Sequence, residues 1–183
     1  MTEHSIADVL DIPVLETARL RLRGYRLEDF EDLVAVWSDP QVTRFIGGKP
    51  STREEVWARL LRLVGHWALL GYGLWAVEEK ETGAFAGGIG FFDGKRDIEP
   101  SLEGMPELGW VLSPRTHGKG YATEAVRAAL AWGDAHFGKV RMACIIAPEN
   151  RASIRVAEKC GFRAWRNTIY ENDPTIIFVR DVP

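Results

Sequence analysis

Cysteine is scarce in this sequence. Cys144 and Cys160 are the only two in 183 residues, and neither has a metal-ligand spacing to any of the four histidines. That excludes a zinc or disulfide framework, and no metal is expected. Both thiols lie in apolar surroundings that suit buried, reduced cysteines, so a cytoplasmic location is expected. Long apolar runs are absent too. Nothing approaches the roughly 20 residues a membrane helix needs, and no leader of basic, apolar and small residues opens the chain, so no membrane association is expected. Positive charge is not in excess: 23 Lys and Arg stand against 26 Asp and Glu, for a net charge of −3 and a pI near 5.9. With its basic residues scattered along the sequence, the chain lacks the concentrated basic face of a nucleic-acid binder. No internal repeat is present, which separates it from dinucleotide-binding domains built of repeated strand–helix units.

What is present is enough apolar material for a core. A hydrophobic content of 46% over 183 residues fits one globular domain over 1–183, with a core over about 14–181 and an N-terminal arm over 1–12. Glu16–Arg23 alternates Leu20 and Leu22 with Arg19, Arg21 and Arg23, the period-two pattern of a strand with one wet face. Arg26–Trp37 reads as a helix that Ser38-Asp39-Pro40 breaks. A longer helix follows, capped by Ser51 or Thr52, with Val56, Leu60, Leu63, Val64 and Trp67 inward and Gly71 as its stop. Tyr72–Glu79 and Ala84–Phe92 form a hairpin in which Gly87, Gly88 and Gly90 mark a bulge or a close approach of another backbone. The loop Asp93–Met105 carries Asp93, Asp97, Glu99 and Glu103 against Lys95 and Arg96; it is either a solvated surface or an acidic lip that would concentrate a cationic amine. Val140–Ala147 suits a buried strand, Asn150–Lys159 a helix closed by Gly161, and Phe162–Arg166 and Thr175–Arg180 two last strands.

The segment from Glu107 to Phe137 organises the rest. Glu107–Leu112 is a short strand that ends before Pro114, which has no N–H to give. Val126, Ala129, Leu130, Gly133 and Phe137 then recur at helical spacing until Gly138. Between them, His117-Gly118-Lys119-Gly120-Tyr121-Ala122-Thr123 frees the backbone where the first helical N–H groups have no partner, an arrangement that attracts phosphate. Neither common nucleotide fingerprint fits. Thr123 stands where Gly-x-Gly-x-x-Gly needs its last glycine, and Gly118-Lys119 is not followed by Ser or Thr. Strand, Ser-Pro, Gly-Lys-Gly-Tyr-Ala turn and Thr-Glu-Ala helix start instead resemble the GNAT N-acetyltransferase superfamily, most of all its ribosomal-protein N-terminal (RimJ/RimL-type) branch. His117, Gly120 and Ala122 take the three signature places of that family's pyrophosphate loop, His117 departing from Gln or Arg. A second stretch, from Asn150 and Ser153 to Glu158-Lys159-Cys160-Gly161-Phe162, resembles the family's other signature, although a capped amphipathic helix also explains it.

The resemblance covers about residues 16–180. It implies an α/β (mixed α+β) fold: a single GNAT-like domain with a central mixed, mostly antiparallel sheet, splayed between its fourth and fifth strands and flanked by about four helices. It further implies acetyl-CoA as co-substrate, a primary amine as acceptor (a peptide N-terminus or a small molecule), and a monomer or homodimer. Trp110, Val111, Leu112, His117, Gly118, Lys119, Gly120, Tyr121, Ala122, Thr123, Asn150 and Ser153 would line the cofactor site. Main-chain N–H groups near Val111 and Leu112 would hold the oxyanion, and Glu107 would be the base, directly or through water. Relatives often place a Tyr acid where Ala157 stands; Ser153 would substitute, or no acid is needed. A thiol of pKa about 8.5 leaves as thiolate at pH 7 for roughly 2 kcal/mol, and an α-amine, with a pKa of about 7.7–8.0, is readily neutral. The alternative is an acyl-CoA-binding module with impaired catalysis.

Overall fold

The computed structural model describes residues 11–181, so most of the expected arm lies outside them; Ile12, its last residue, is buried in the core. Eight strands form one sheet: β1 (Leu15–Glu16), β2 (Leu20–Arg23), β3 (Leu74–Glu79), β4 (Phe85–Phe92), β5 (Glu107–Leu112), β6 (Met142–Ile146), β7 (Arg163–Tyr170) and β8 (Asp173–Arg180). The helices are α1 (Phe30–Trp37), α2 (Pro40–Thr43), α3 (Arg53–Leu70), α4 (Tyr121–Phe137) and α5 (Arg151–Lys159). The spatial order is β1-β2-β3-β4-β5-β6-β8-β7, and every neighbouring pair is antiparallel except β5 and β6.

The expected first strand is two strands, because Thr17 folds the chain back on itself. Its N–H donates to the Leu20 carbonyl at 2.9 Å and its Oγ1 donates to Glu124 at 2.6 Å. Likewise the helix expected from Arg26 opens as a 3₁₀ turn, Leu27–Asp29, where the Asp29 carboxylate accepts the Arg26 N–H at 2.8 Å and pairs with Arg23. Ser38-Asp39-Pro40 does stop α1, but it also starts a helix. Asp39 Oδ1 accepts the Gln41 N–H at 2.8 Å with Pro40 at the first helical position, the place where a missing N–H costs nothing. α3 is capped by Thr52, whose side chain and that of Glu55 exchange hydrogen bonds with each other's N–H groups, and Gly71 closes it with φ +71°. Gly138, at φ +74°, ends α4.

Helices cover both faces of the sheet. Ala125, Val126, Ala129 and Leu130 of α4 and Ala157 of α5 join Phe91, Leu108, Met142 and Phe178 in one core. Leu33, Val36 and Trp37 of α1 and Val56, Leu60 and Leu63 of α3 join Tyr25, Ala76 and Phe85 in another. Gly87, at φ +146°, lets β4 meet β5, since a Cβ there would stand 2.3 Å from the Val111 carbonyl oxygen. The expected splay is present: β5 and β6 pair only at Glu107↔Ala143, with the Ala143 N–H donating to the Pro106 carbonyl at 3.0 Å, and the strands part beyond that point.

Candidate active site

A cavity of about 490 Å³ opens where β5 and β6 part. Trp110, Val111, Leu112, His117, Gly118, Gly120, Tyr121, Ala122, Thr123, Asn150 and Ser153 all line it. Lys119 does not, its Nζ being held by Glu79 at 3.2 Å. The turn before α4 is fixed by the Thr116 hydroxyl, which donates to the Ser113 carbonyl at 2.7 Å. Gly118 and Gly120 take φ +77° and +79°, and no atom lies within 4 Å of where a Cβ on Gly118 would be. The N–H groups of Gly118, Gly120, Tyr121, Ala122 and Thr123 find no acceptor among the described residues. This is a cradle of amides at the positive end of a helix dipole, with room for a phosphorylated ligand to come close. The residues present therefore fit the diphosphate of a coenzyme A thioester.

His117 folds back onto its own strand, its Nε2 lying 3.1 Å from the Leu112 carbonyl oxygen. The cation beside the turn is Arg19, which the sequence order hides. Its Nη1 donates to the Lys119 carbonyl at 2.9 Å and its guanidinium lies 4.7 Å from the centre of the Tyr121 ring. Glu124 holds it with contacts of 2.8 and 2.6 Å. Burial alone would raise the Glu124 carboxyl, but hydrogen bonds from Thr17 and Arg19 outweigh it and hold the group below the usual carboxylate range.

Deeper in the splay, a chamber of about 90 Å³ lies between Leu108 and Trp110 on one strand and Cys144, Ile145 and Ile146 on the other, and it shares Asn150 and Ser153 with the main cavity. Here the facing edges of β5 and β6 have no ladder partner. Unpaired strand edges offer backbone donors and acceptors to an extended ligand, as an added strand would use them. Asn150 caps α5, its Oδ1 accepting the Ser153 N–H at 3.1 Å. Ala157 is fully buried in the core, and its methyl group has no proton to give, so no acid acts from that place. Burial pushes the Cys144 thiol well up, leaving it a neutral part of the wall. Cavity residues not expected from sequence include Gln41, Val42, Phe45 and Ile46, from α2 and the turn after it, Thr116 before α4, and Ala152, Arg155, Val156 and Lys159 on α5. Asp39-Pro40 read as a helix start, not only as a stop, would have pointed to the first group.

Glu107 stands apart from these. It is 5% exposed, its Oε2 accepts a hydrogen bond from Arg96 Nε at 2.7 Å, and Arg96 in turn lies against the rings of Phe92 and Tyr170. Burial pushes the Glu107 carboxyl up, and Arg96 offsets this only in part. It lines another cavity, of about 510 Å³, formed by the acidic loop with Tyr72 and Phe137. Trp110, on the main cavity, lies about 10 Å further along the strand. Tyr170 is committed to the Arg96 side, whereas Tyr121 lines the main cavity.

A parted sheet with an amide cradle at one end defines a protein that can hold a long phosphorylated thioester between two strands. The family model described as "Acetyltransferase (GNAT) domain" matches residues 19–163. The chain belongs to the GNAT acetyltransferase family and is an N-acetyltransferase. It is 37% identical over 172 residues to the uncharacterized protein YkkB of Bacillus subtilis (strain 168), covering 91% of this chain and 94% of that one. It is 30% identical to the uncharacterized N-acetyltransferase p20 of Bacillus licheniformis, covering 81% and 82%. A putative GnaT-family acetyltransferase from Bordetella pertussis shares the fold at a TM-score of 0.80 with 28% identity, covering 92% and 99%. RimL, a ribosomal L7/L12 α-N-protein acetyltransferase solved in complex with coenzyme A, has the same fold at a TM-score of 0.73 with 17% identity, covering 93% and 98%. Among the described residues no helix is long and apolar enough to cross a membrane.

Proposed function

We propose that this chain transfers the acetyl group of acetyl-CoA to a primary amine by direct attack, without a covalent enzyme intermediate, and that it belongs with the RimJ/RimL-type branch. One observation carries the reading: the amide cradle at Gly118–Thr123 and the unpaired edges of β5 and β6 lie on one continuous wall, with Asn150 and Ser153 between them. The cradle binds the diphosphate, the strand edges orient the pantetheine arm, and N–H groups near Val111 and Leu112 stabilise the developing oxyanion. The Ser153 hydroxyl hydrogen-bonds the departing thiolate. Glu107 takes the amine's proton through a chain of waters, because Trp110 is about 10 Å away along the strand, beyond both the roughly 3 Å of direct abstraction and the reach of one bridging water.

The acceptor is a peptide α-amine or a small-molecule amine. Release of free thiol from acetyl-CoA against a panel of peptides and amines tests the reading, which fails if the protein neither binds acetyl-CoA nor is stabilised by it. A second reading, an acyl-CoA-binding module with impaired catalysis, is favoured by the Arg96 pairing of Glu107 and by the buried Ala157. Tight binding with no thiol release on any amine would select it.

A further inference from the structure

α5 carries Arg151, Arg155 and Lys159 one turn apart, and all three are exposed. Arg155 and Lys159 line the main cavity. Arg127, in the second turn of α4, reaches the Lys159 carbonyl with its Nη2 at 3.4 Å and lines a hollow with Gly120 and Thr123 of the cradle. Among the described residues none of these four cations has a carboxylate within salt-bridge distance. As a structural device the row is a poor one. Like charges one turn apart repel on a helix. A cation at the end of α5 suits the helix dipole, but Arg151 at its first position opposes it. Arg127, distant in sequence, thus meets Lys159 beside the cavity edge that Arg155 and Lys159 line, at some cost to the helix.

We infer that the Arg127–Arg155–Lys159 rim binds the 3′-phosphate of coenzyme A and makes that phosphate a requirement for tight binding. The inference rests on the acetyl-CoA reading above. The amides of the cradle are neutral donors suited to the diphosphate, and Arg19 beside them is already held by Glu124, so this rim is the cation source without a carboxylate partner for the phosphomonoester, which carries −1.5 to −2 charge near neutral pH. Arg and Lys bind phosphate through charge-assisted hydrogen bonds, roughly twice as strong as neutral ones.

Titration calorimetry with coenzyme A and with 3′-dephospho-coenzyme A tests this on the full chain and on the double variant Arg155→Ala/Lys159→Ala. Both positions are exposed, and thermal melting of the unliganded proteins reports the fold. The wild type should bind coenzyme A about tenfold or more tightly than the dephospho form, the lower end for a charge-assisted contact. The double variant should lose that preference, bind the dephospho form as the wild type does, and melt no lower. Equal binding of the two ligands by the wild type, or an unchanged preference in the variant, overturns the inference and leaves acetyl-CoA use intact. Binding of neither ligand removes the reading beneath it as well.

Discussion

Gly87 holds β4 against β5 in a conformation that only glycine takes readily, φ +146°, with the Val111 carbonyl oxygen 2.3 Å from where a Cβ would be. Gly83 also has a positive φ, +69°, but nothing lies within 4 Å of its Cβ position. Gly87→Ala should therefore cost about 3 kcal/mol or more, adding a backbone clash to the strain, and Gly83→Ala only about 1 kcal/mol. Urea unfolding of both variants decides this, and equal costs would mean the close approach is not limiting. At Glu107 the chemistry sets the expectation. Its carboxyl titrates above the usual carboxylate range because it is buried, and only the ionised form accepts a proton. The kcat for amine acetylation should rise with pH through that raised value. Glu107→Gln should lower kcat by about 10²–10⁴ and remove that limb; a variant that keeps both rate and limb would deny Glu107 the base role.

At the scale of elements, the β1–β2 turn is stapled to the start of α4, for Glu124 accepts from Thr17 Oγ1 at 2.6 Å and from the Arg19 N–H at 2.9 Å. Its carboxyl titrates lower in the folded state than in the unfolded chain. The unfolded chain therefore takes up the proton first as pH falls. The staple's contribution is present above the unfolded value and is lost as pH drops through the folded one. Glu124→Gln should lower stability at neutral pH and flatten its fall on acidification, read as the urea midpoint from about pH 6 to about pH 3. Parallel curves for variant and wild type would mean that the staple is not what acid breaks. Glu107 has the opposite sign: its raised value means that acidification relieves a burial cost.

On the scale of the whole molecule, β1 to β5 and β6 to β8 meet as one sheet through the single pair Glu107↔Ala143. A ligand lying between β5 and β6 would bridge the two parts. Acetyl-CoA at about 100 times its Kd should stabilise the fold by roughly 2.7 kcal/mol, a shift of about 5–10 °C in Tm. It should also slow amide exchange most along Leu108–Leu112 and Met142–Ile146; protection confined to the Gly118–Thr123 turn would contradict binding in the splay. The local elements were legible in the sequence because caps, glycine stops and apolar periodicity act over one or two turns. α3 with Thr52 and Gly71, α4 before Gly138 and α5 behind Asn150 follow from such signals. The turn at Thr17 and the helix after Asp39 were not legible, since a carboxylate on α4 completes the first and the second uses the same Asp-Pro that ends α1. By itself, then, the sequence determined the order of elements and the glycine turn that frees its amides, because these depend on neighbours along the chain. Only the tertiary structure decided that Arg19 stands beside that turn, that Arg127 meets Lys159 beside the cavity edge, and that Glu107 pairs with Arg96 on a different cavity, because charge and burial at those residues come from chain segments distant in sequence.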